Sequence, residues 1–373
     1  QLAAAFERLW GDPVEGVVVT RYGYGAPTRR IAVLEAAHPT PDAAGLAASE
    51  RLLGAVSGLA PDDLVVALVC GGGSALLPAP PEGLTLEDEI AVNRALLASG
   101  APISEMNALR KHVSRIKGGR LAAAAAPARV VSLLVSDIPG DDPALIASGP
   151  TVPDAAGPEA ARAVVARYGL ALPGAVRDWL ASAACAAPVP EDPVFHRNEI
   201  RIVASARLSL EAAAAAARAA GIAAAILGDA VEGESRETAR VFGAIAREIA
   251  ARDRPFARPV VLLSGGETTV TLRGGGRGGR NAEFALALGR DLAGLPAAAA
   301  LAADTDGIDG SEDNAGAFVD GETWRRLRDL GRDPAALLAD NDAWSAFDAL
   351  GDLFVTGPTG TNVNDFRAIL LSG

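Results

Sequence analysis

VVALVCGGGSALL, residues 65–77, is an apolar run that breaks off into three glycines and a serine. An aliphatic run without polar alternation reads as a strand buried on both faces, as in the parallel sheet of an α/β domain. Gly71, Gly72 and Gly73 then let the backbone turn sharply and approach a ligand closely. Successive N–H groups and the Ser74 hydroxyl can face one anion there.

Working outward, EGVVVTRYG (15–23), RRIAVLEAAH (29–38) and RVVSLLVSD (129–137) read as further strands, and residues 43–58, 86–98 and 104–117 as helices. Asp42, after HPTP, is placed to cap the first of these, and Ser104 the third. The alternation predicts a Rossmann-like open parallel sheet with helices on both faces. Residues 151–195 are rich in proline and end in PVPEDPVFHRN (188–198), the best linker candidate. A second alternating run follows, with strands at 199–205, 222–229, 259–266 and 352–357 and helices at 207–220 and 235–252. The expectation is two α/β domains, 1–195 and 196–373, with ligands beyond the carboxyl ends of the strands.

With a formal charge of −12 and no basic tail, nucleic acid is excluded as a partner, while a small anion in a local basic pocket is not. Cys70 and Cys185 stand apart, so neither a disulfide framework nor a zinc site is expected, and the three histidines, His38, His112 and His196, read as structural. No apolar run is long enough for a membrane span and no signal peptide is visible, so cytoplasm is the expected location and the assembly a monomer or homodimer. The opening LAAAFERLWG reads as the middle or end of a helix, so a segment upstream of Gln1 is expected.

Four loops leave strands with small or acidic residues: 70–74, 136–142, 264–269 and 303–310. Gly265, Gly266, Glu267 and Thr268 offer a second cradle like that of Gly71–Ser74. Neither loop fits the GxGxxG or GxxxxGK[ST] fingerprint. NALRKHVSRIKGGR (107–120) carries five basic residues and no acid, and as a helix it would align Asn107, Arg110, Ser114 and Lys117 on one polar face. Its Lys111 and Lys117 are the chain's only lysines among 34 basic residues, which marks Lys117 as a candidate for a substrate anion. Asp137, Asp141, Asp142, Asp304, Asp306 and Asp309 could hold Mg²⁺ or take a hydroxyl proton, with Asp142 and Asp309 read mainly as turn residues. In GGGRGGRNAEF (274–284), Arg277 reads as a mobile hairpin tip, and Arg280, which leads into a helix with Asn281 and Glu283, reads either as a group able to stabilise charge on a transferred phosphoryl or as part of the same tip. Thr359, Asn362 and Asn364 supply late donors of no assigned role.

CGGGSALL, NALRKHVSRIKGGRLA, SDIPGDDPALIASGPT, SGGETTVT, GGRNAEF, DTDGIDG and TGPTGTNVND, in that order from about residue 13 to the end, resemble the glycerate 2-kinase family with its C-terminal MOFRL domain, here about 258–370. Its members often carry the name hydroxypyruvate reductase. The resemblance implies an active site in the cleft between the two domains, and transfer of the ATP γ-phosphoryl group to the 2-hydroxyl of D-glycerate with Mg²⁺. Carried over, it implies Lys117, Asp137 and Arg280 as catalytic, Gly71–Ser74 and Arg110 as substrate-binding, Gly265, Gly266, Glu267, Thr268 and Asn281 as nucleotide-binding, and Asp137 with Asp304 as metal ligands. The family's early glycine-lysine motif has no counterpart in this sequence, which leaves either an upstream segment or a chain inactive as it stands. Two other readings rank behind the kinase: an NAD(P)H-dependent hydroxypyruvate reductase, and a non-catalytic anion-binding protein.

Overall fold

The computed structural model describes residues 1–153, 155–295 and 297–372. They form two compact units, one of residues 1–136 and 141–203, the other of residues 137–140 with the chain from Ala204 on. Among the described residues no helix is long and apolar enough to cross a membrane.

In the first unit β1 (Gly16–Arg21) pairs in parallel with β2 (Ile31–Ala36), and β3 (Leu64–Val69) in parallel with β4 (Arg129–Val135). Asp42 caps the helix Ala43–Val56, its Oδ1 accepting from the Gly45 amide at 2.9 Å. A separate helical core gathers Val92, Leu96, Leu109, Val164, Val176 and Leu180. The strand expected to open the second domain, β5 (Glu199–Ala204), instead completes the β3–β4–β5 sheet. The stretch read as a linker is docked on the same unit, where Asn198 Oδ1 accepts from Val130 N at 3.0 Å and Phe195 packs beside Leu121 and Val130.

The basic helix is shorter than its periodicity suggests. It runs Ile103–Arg110 from an N-cap at Pro102, not Ser104, and continues only as a 3₁₀ turn over Lys111–Val113. Ser114 is extended, and its Oγ accepts from the amides of Ile116 and Lys117 at 3.2 and 3.3 Å, an alternative to the helical ladder. Gly118 and Gly119 then take left-handed φ of 64° and 79°, and their amides donate to the carbonyls of Ser148 and Gly149. The common helical face of Asn107, Arg110, Ser114 and Lys117 therefore does not exist.

The second unit is built on a six-stranded sheet in the order β12 (Leu353–Phe354), β11 (Gly316–Asp320), β10 (Ala298–Asp304), β13 (Asp365–Leu371), β8 (Val260–Gly266), β6 (Ala223–Gly228). A small parallel pair, β7 (Gly233–Glu234) with β9 (Thr268–Thr269), lies apart from it. Only β6 and β8 pair in parallel within the large sheet, and the other pairings are antiparallel, so this second α/β unit carries a mixed sheet. Strands β11 and β13 were not anticipated. Alternation along β8 explains why the sheet is covered on both sides. Val260 and Leu262 face the helices Ser235–Arg252 and Arg280–Leu292, while Val261 and Leu263 face the helix Ala206–Ala219.

Candidate active site

The first unit gathers polar groups behind the glycine turn after β3. Gly72 takes φ 78°, which turns the chain into the short helix Gly73–Leu76 and carries Ser74 beside Ser148, their hydroxyls 2.6 Å apart. Ser148 in turn donates to Asn107 Oδ1 at 2.8 Å. His38, read as structural, has its imidazole against Gly72, where an added Cβ would stand 3.2 Å from Nε2. Arg110 Nε donates to Asn93 Oδ1 at 2.8 Å, and burial lowers the Arg110 pKa against the pull of Glu89. Lys117 is 2% exposed and pairs with Glu89 at 2.6 Å, while the other Glu89 oxygen accepts from Ala79 N at 3.0 Å. Lys117 thus holds a buried carboxylate in place.

In the second unit, Arg280 meets three carboxylates. Nε donates to Asp365 at 2.8 Å, Nη1 to Glu267 at 3.0 Å and Nη2 to Asp304 at 2.5 Å. A guanidinium has five N–H groups, so one on each terminal nitrogen remains for a ligand. Burial works against this charge, but Asp365, and after it Asp304 and Glu267, hold the Arg280 pKa above its ordinary value. Negative charge is in excess around it. Burial pushes Asp304 up to about 7, with Arg280 opposing and Asp306 and Asp365 adding. Burial also raises Asp137, with Glu267 contributing, and Asn364 Nδ2 donates to the Asp137 carbonyl at 2.7 Å.

The backbone under Arg280 is fixed from several directions. Asp309, read as a turn residue, caps the helix Arg280–Leu292, its carboxylate accepting from the amides of Asn281 and Ala282 at 2.9 and 2.7 Å. Ser235 donates to the Arg280 carbonyl at 2.6 Å and touches Thr268 Oγ1. The arginine-glycine segment is no mobile tip. Asn341 Oδ1 accepts from Arg273 N and Gly274 N, Asp342 Oδ1 accepts from Arg277 N, and the Arg277 guanidinium lies 3.8 Å from the Trp344 ring centre.

The second glycine pair is not an open loop. Gly265 and Gly266 end the buried strand β8, and at φ 115° a Cβ on Gly266 would stand 2.2 Å from Val231 N, so glycine is needed for strand packing. Thr268 is buried and receives Arg367 Nη2 at 2.9 Å. Asn281 is buried and donates to Asp365 at 2.7 Å. Asp365 and Arg367 are the members of this cluster that sequence reasoning did not single out, and they form a buried ion pair. The signal was present: in DFRAILL, alternation puts both on the face of Ile369 and Leu371.

Residues 1–181 match a family model described as a domain of unknown function, DUF4147, and residues 260–365 match the MOFRL family. A putative hydroxypyruvate reductase from Agrobacterium vitis is 54% identical over 99% of this chain and 84% of its own. A D-glycerate 2-kinase from Thermotoga maritima is 40% identical over 97% of this chain and 85% of its own. A crystal structure of glycerate kinase from the same organism superimposes with a TM-score of 0.92 at 39% identity, covering 98% of this chain and 87% of that one. The chain belongs to the glycerate 2-kinase family. In this member of the family, Lys117 and Asp304 make sharp and different demands on the fold.

Replacing Lys117 by Ala leaves Glu89 charged and unpaired in the interior, and should cost about 3–5 kcal/mol in urea unfolding. The double variant Lys117→Met with Glu89→Gln should recover most of that loss. Asp304 binds its proton more tightly folded than unfolded, so its contribution to stability is greatest at low pH and is lost as pH rises from about 4 through about 7. Asp304→Asn removes that dependence. The melting temperature of the variant should therefore gain on the wild type by a few degrees between pH 5 and pH 8, and parallel curves would contradict the assignment.

Proposed function

We propose that the protein transfers the γ-phosphoryl group of ATP to the 2-hydroxyl of D-glycerate. The observation that carries this reading is Arg280, fixed by three carboxylates and keeping an N–H on each terminal nitrogen. Phosphoryl transfer asks a protein for positioning and for neutralisation of spreading negative charge, and a preset guanidinium supplies both. The relatives named glycerate kinase and glycerate 2-kinase, matched over nearly all of this chain, support the same reading.

The amides of Gly71–Gly73 and the Arg110 guanidinium hold the glycerate carboxylate. Asp137, whose carboxyl is raised by burial, accepts the proton of the 2-hydroxyl as its oxygen attacks the γ-phosphorus. One oxygen–phosphorus bond forms while the bond to the β-phosphate oxygen breaks, and ADP leaves. Arg280 meets the γ-phosphoryl oxygens. In the second unit Gly265, Gly266, Thr268 and Asn281 act from behind, keeping Glu267 and Arg280 in place, and in the first unit Lys117 acts through Glu89.

Mg²⁺ suits this residue set. Among the described residues no cluster of three or more ligating side chains stands ready for an ion, but Mg²⁺ takes one or two carboxylates and completes its shell with water and phosphate oxygens. Asp304, buried and crowded by Asp306 and Asp365 despite its pairing with Arg280, would hold the ion with Asp137 as a second donor, and the ion would neutralise phosphate charge.

The reductase names among relatives raise hydride transfer as an alternative. The glycine turn leads into a helix of only four residues, Gly73–Leu76, without the GxGxxG spacing of a dinucleotide site. The test uses ATP, Mg²⁺ and D-glycerate coupled to enolase with no mutase. Because enolase accepts only the 2-phosphate, an immediate signal is expected. ADP without that signal would overturn the position of transfer, and no ADP, with NADH oxidised by hydroxypyruvate, would overturn the kinase reading.

A further inference from the structure

Ser74, Ser148 and Asn107 form a chain of hydrogen bonds whose direction is fixed at its far end. Asn107 Nδ2 donates to the Leu145 carbonyl at 3.3 Å, so its Oδ1 is the atom turned to Ser148. Ser148 gives its one hydroxyl proton to that Oδ1 at 2.8 Å. Its oxygen can then only accept from Ser74, 2.6 Å away. Ser74 has spent its proton inward, and what it presents outward is a pair of lone pairs.

The polarity is built in. Ser148 and Asn107 are buried, and Ala147, Ser148 and Gly149 take three successive left-handed φ values of 50°, 62° and 59°. Such a run in residues other than glycine is held by its surroundings. Gly73 approaches so closely that a Cβ on it would stand 2.8 Å from Ala147 Cβ. The turn carrying Ser74 is seated on the strained segment carrying Ser148.

An outward lone pair repels a carboxylate and binds a donor. The chain ends on a neutral amide, so no proton can be drawn along it, and the group it meets keeps its hydrogen. We infer that Ser74 accepts a hydrogen bond from the unreacting 3-hydroxyl of the substrate, with Ser148 and Asn107 as positioning residues, and that this contact selects glycerate over 3-deoxy acids. The inference rests on the kinase reading above and corrects the expectation that Ser74 donates to the carboxylate.

D-lactate keeps the carboxylate and the 2-hydroxyl and lacks only the 3-hydroxyl, so it isolates the contact. With ADP release as the readout, kcat/KM is measured for D-glycerate and D-lactate in the wild type, Ser74→Ala and Ser148→Ala, using the inhibition constant where D-lactate is not turned over. A site built around a substrate hydroxyl discriminates by about a hundredfold or more. The wild type should show that preference, and both variants should shrink it at least tenfold, mainly through glycerate. A merely structural role would lower both substrates together and leave the ratio unchanged, which would overturn the inference, as would a wild type without preference. Should Ser148→Ala fail to fold, Ser74→Ala on the partly exposed turn decides alone. No ADP from the wild type with glycerate would overturn the kinase reading and this inference with it, whereas turnover with an unchanged ratio overturns this inference only.

Discussion

The arrangement of the second unit depends on one buried carboxylate. Asp365 receives Arg280 on one oxygen and Arg367 on the other, and it also receives Asn281. A carboxylate stripped of water is costly unless it is paired and fully hydrogen-bonded. Here the pairing also fixes geometry. Asp365 stands at the start of β13, the strand between β8 and β10, so the sheet places it, and it then places the Arg280 guanidinium. The remaining devices serve the same backbone: Asp309 at the helix start, Ser235 on the carbonyl, and Asn341 on the preceding loop.

The first unit solves a different problem with the same means. Lys117 compensates Glu89, and Glu89 secures the Ala79 amide. A directional chain from Asn107 through Ser148 sets the polarity of Ser74. In both units the groups proposed to meet a ligand are few, and each is oriented by buried polar partners. Such preorganisation is how an enzyme avoids reordering its dipoles as charge develops.

Much of this was legible in the sequence, for physical reasons. Buried strands and amphipathic helices announce themselves by periodicity, and the helix 235–252 agrees with its expected span, as does β8 within a residue. Chemistry-bearing residues flanked by glycine, such as Ser74 and Arg280, stood out because glycine marks close backbone approach. Three kinds of feature did not. The helix ending at Arg110 continued on paper because the competing Ser114 side-chain hydrogen bonds, local though they are, do not register in a count of apolar periodicity. Gly265 and Gly266 read as part of a ligand cradle because composition cannot tell a glycine that cradles a ligand from one that lets two backbones touch. Asp365 and Arg367 escaped because charges inside a strand read as a surface until the opposing residues are known.

In the proposed reaction Arg280 acts as a forked guanidinium held in one orientation, with its remaining N–H groups on the transferred phosphoryl. Lysine keeps the charge but cannot reach three carboxylates and a phosphate from one planar group. The most direct test is kcat of Arg280→Lys at saturating ATP and glycerate, on protein shown by circular dichroism to be folded. A fall of about a hundredfold or more is expected although the charge is retained, and a kcat within a few-fold of the wild type would rule out this role for Arg280.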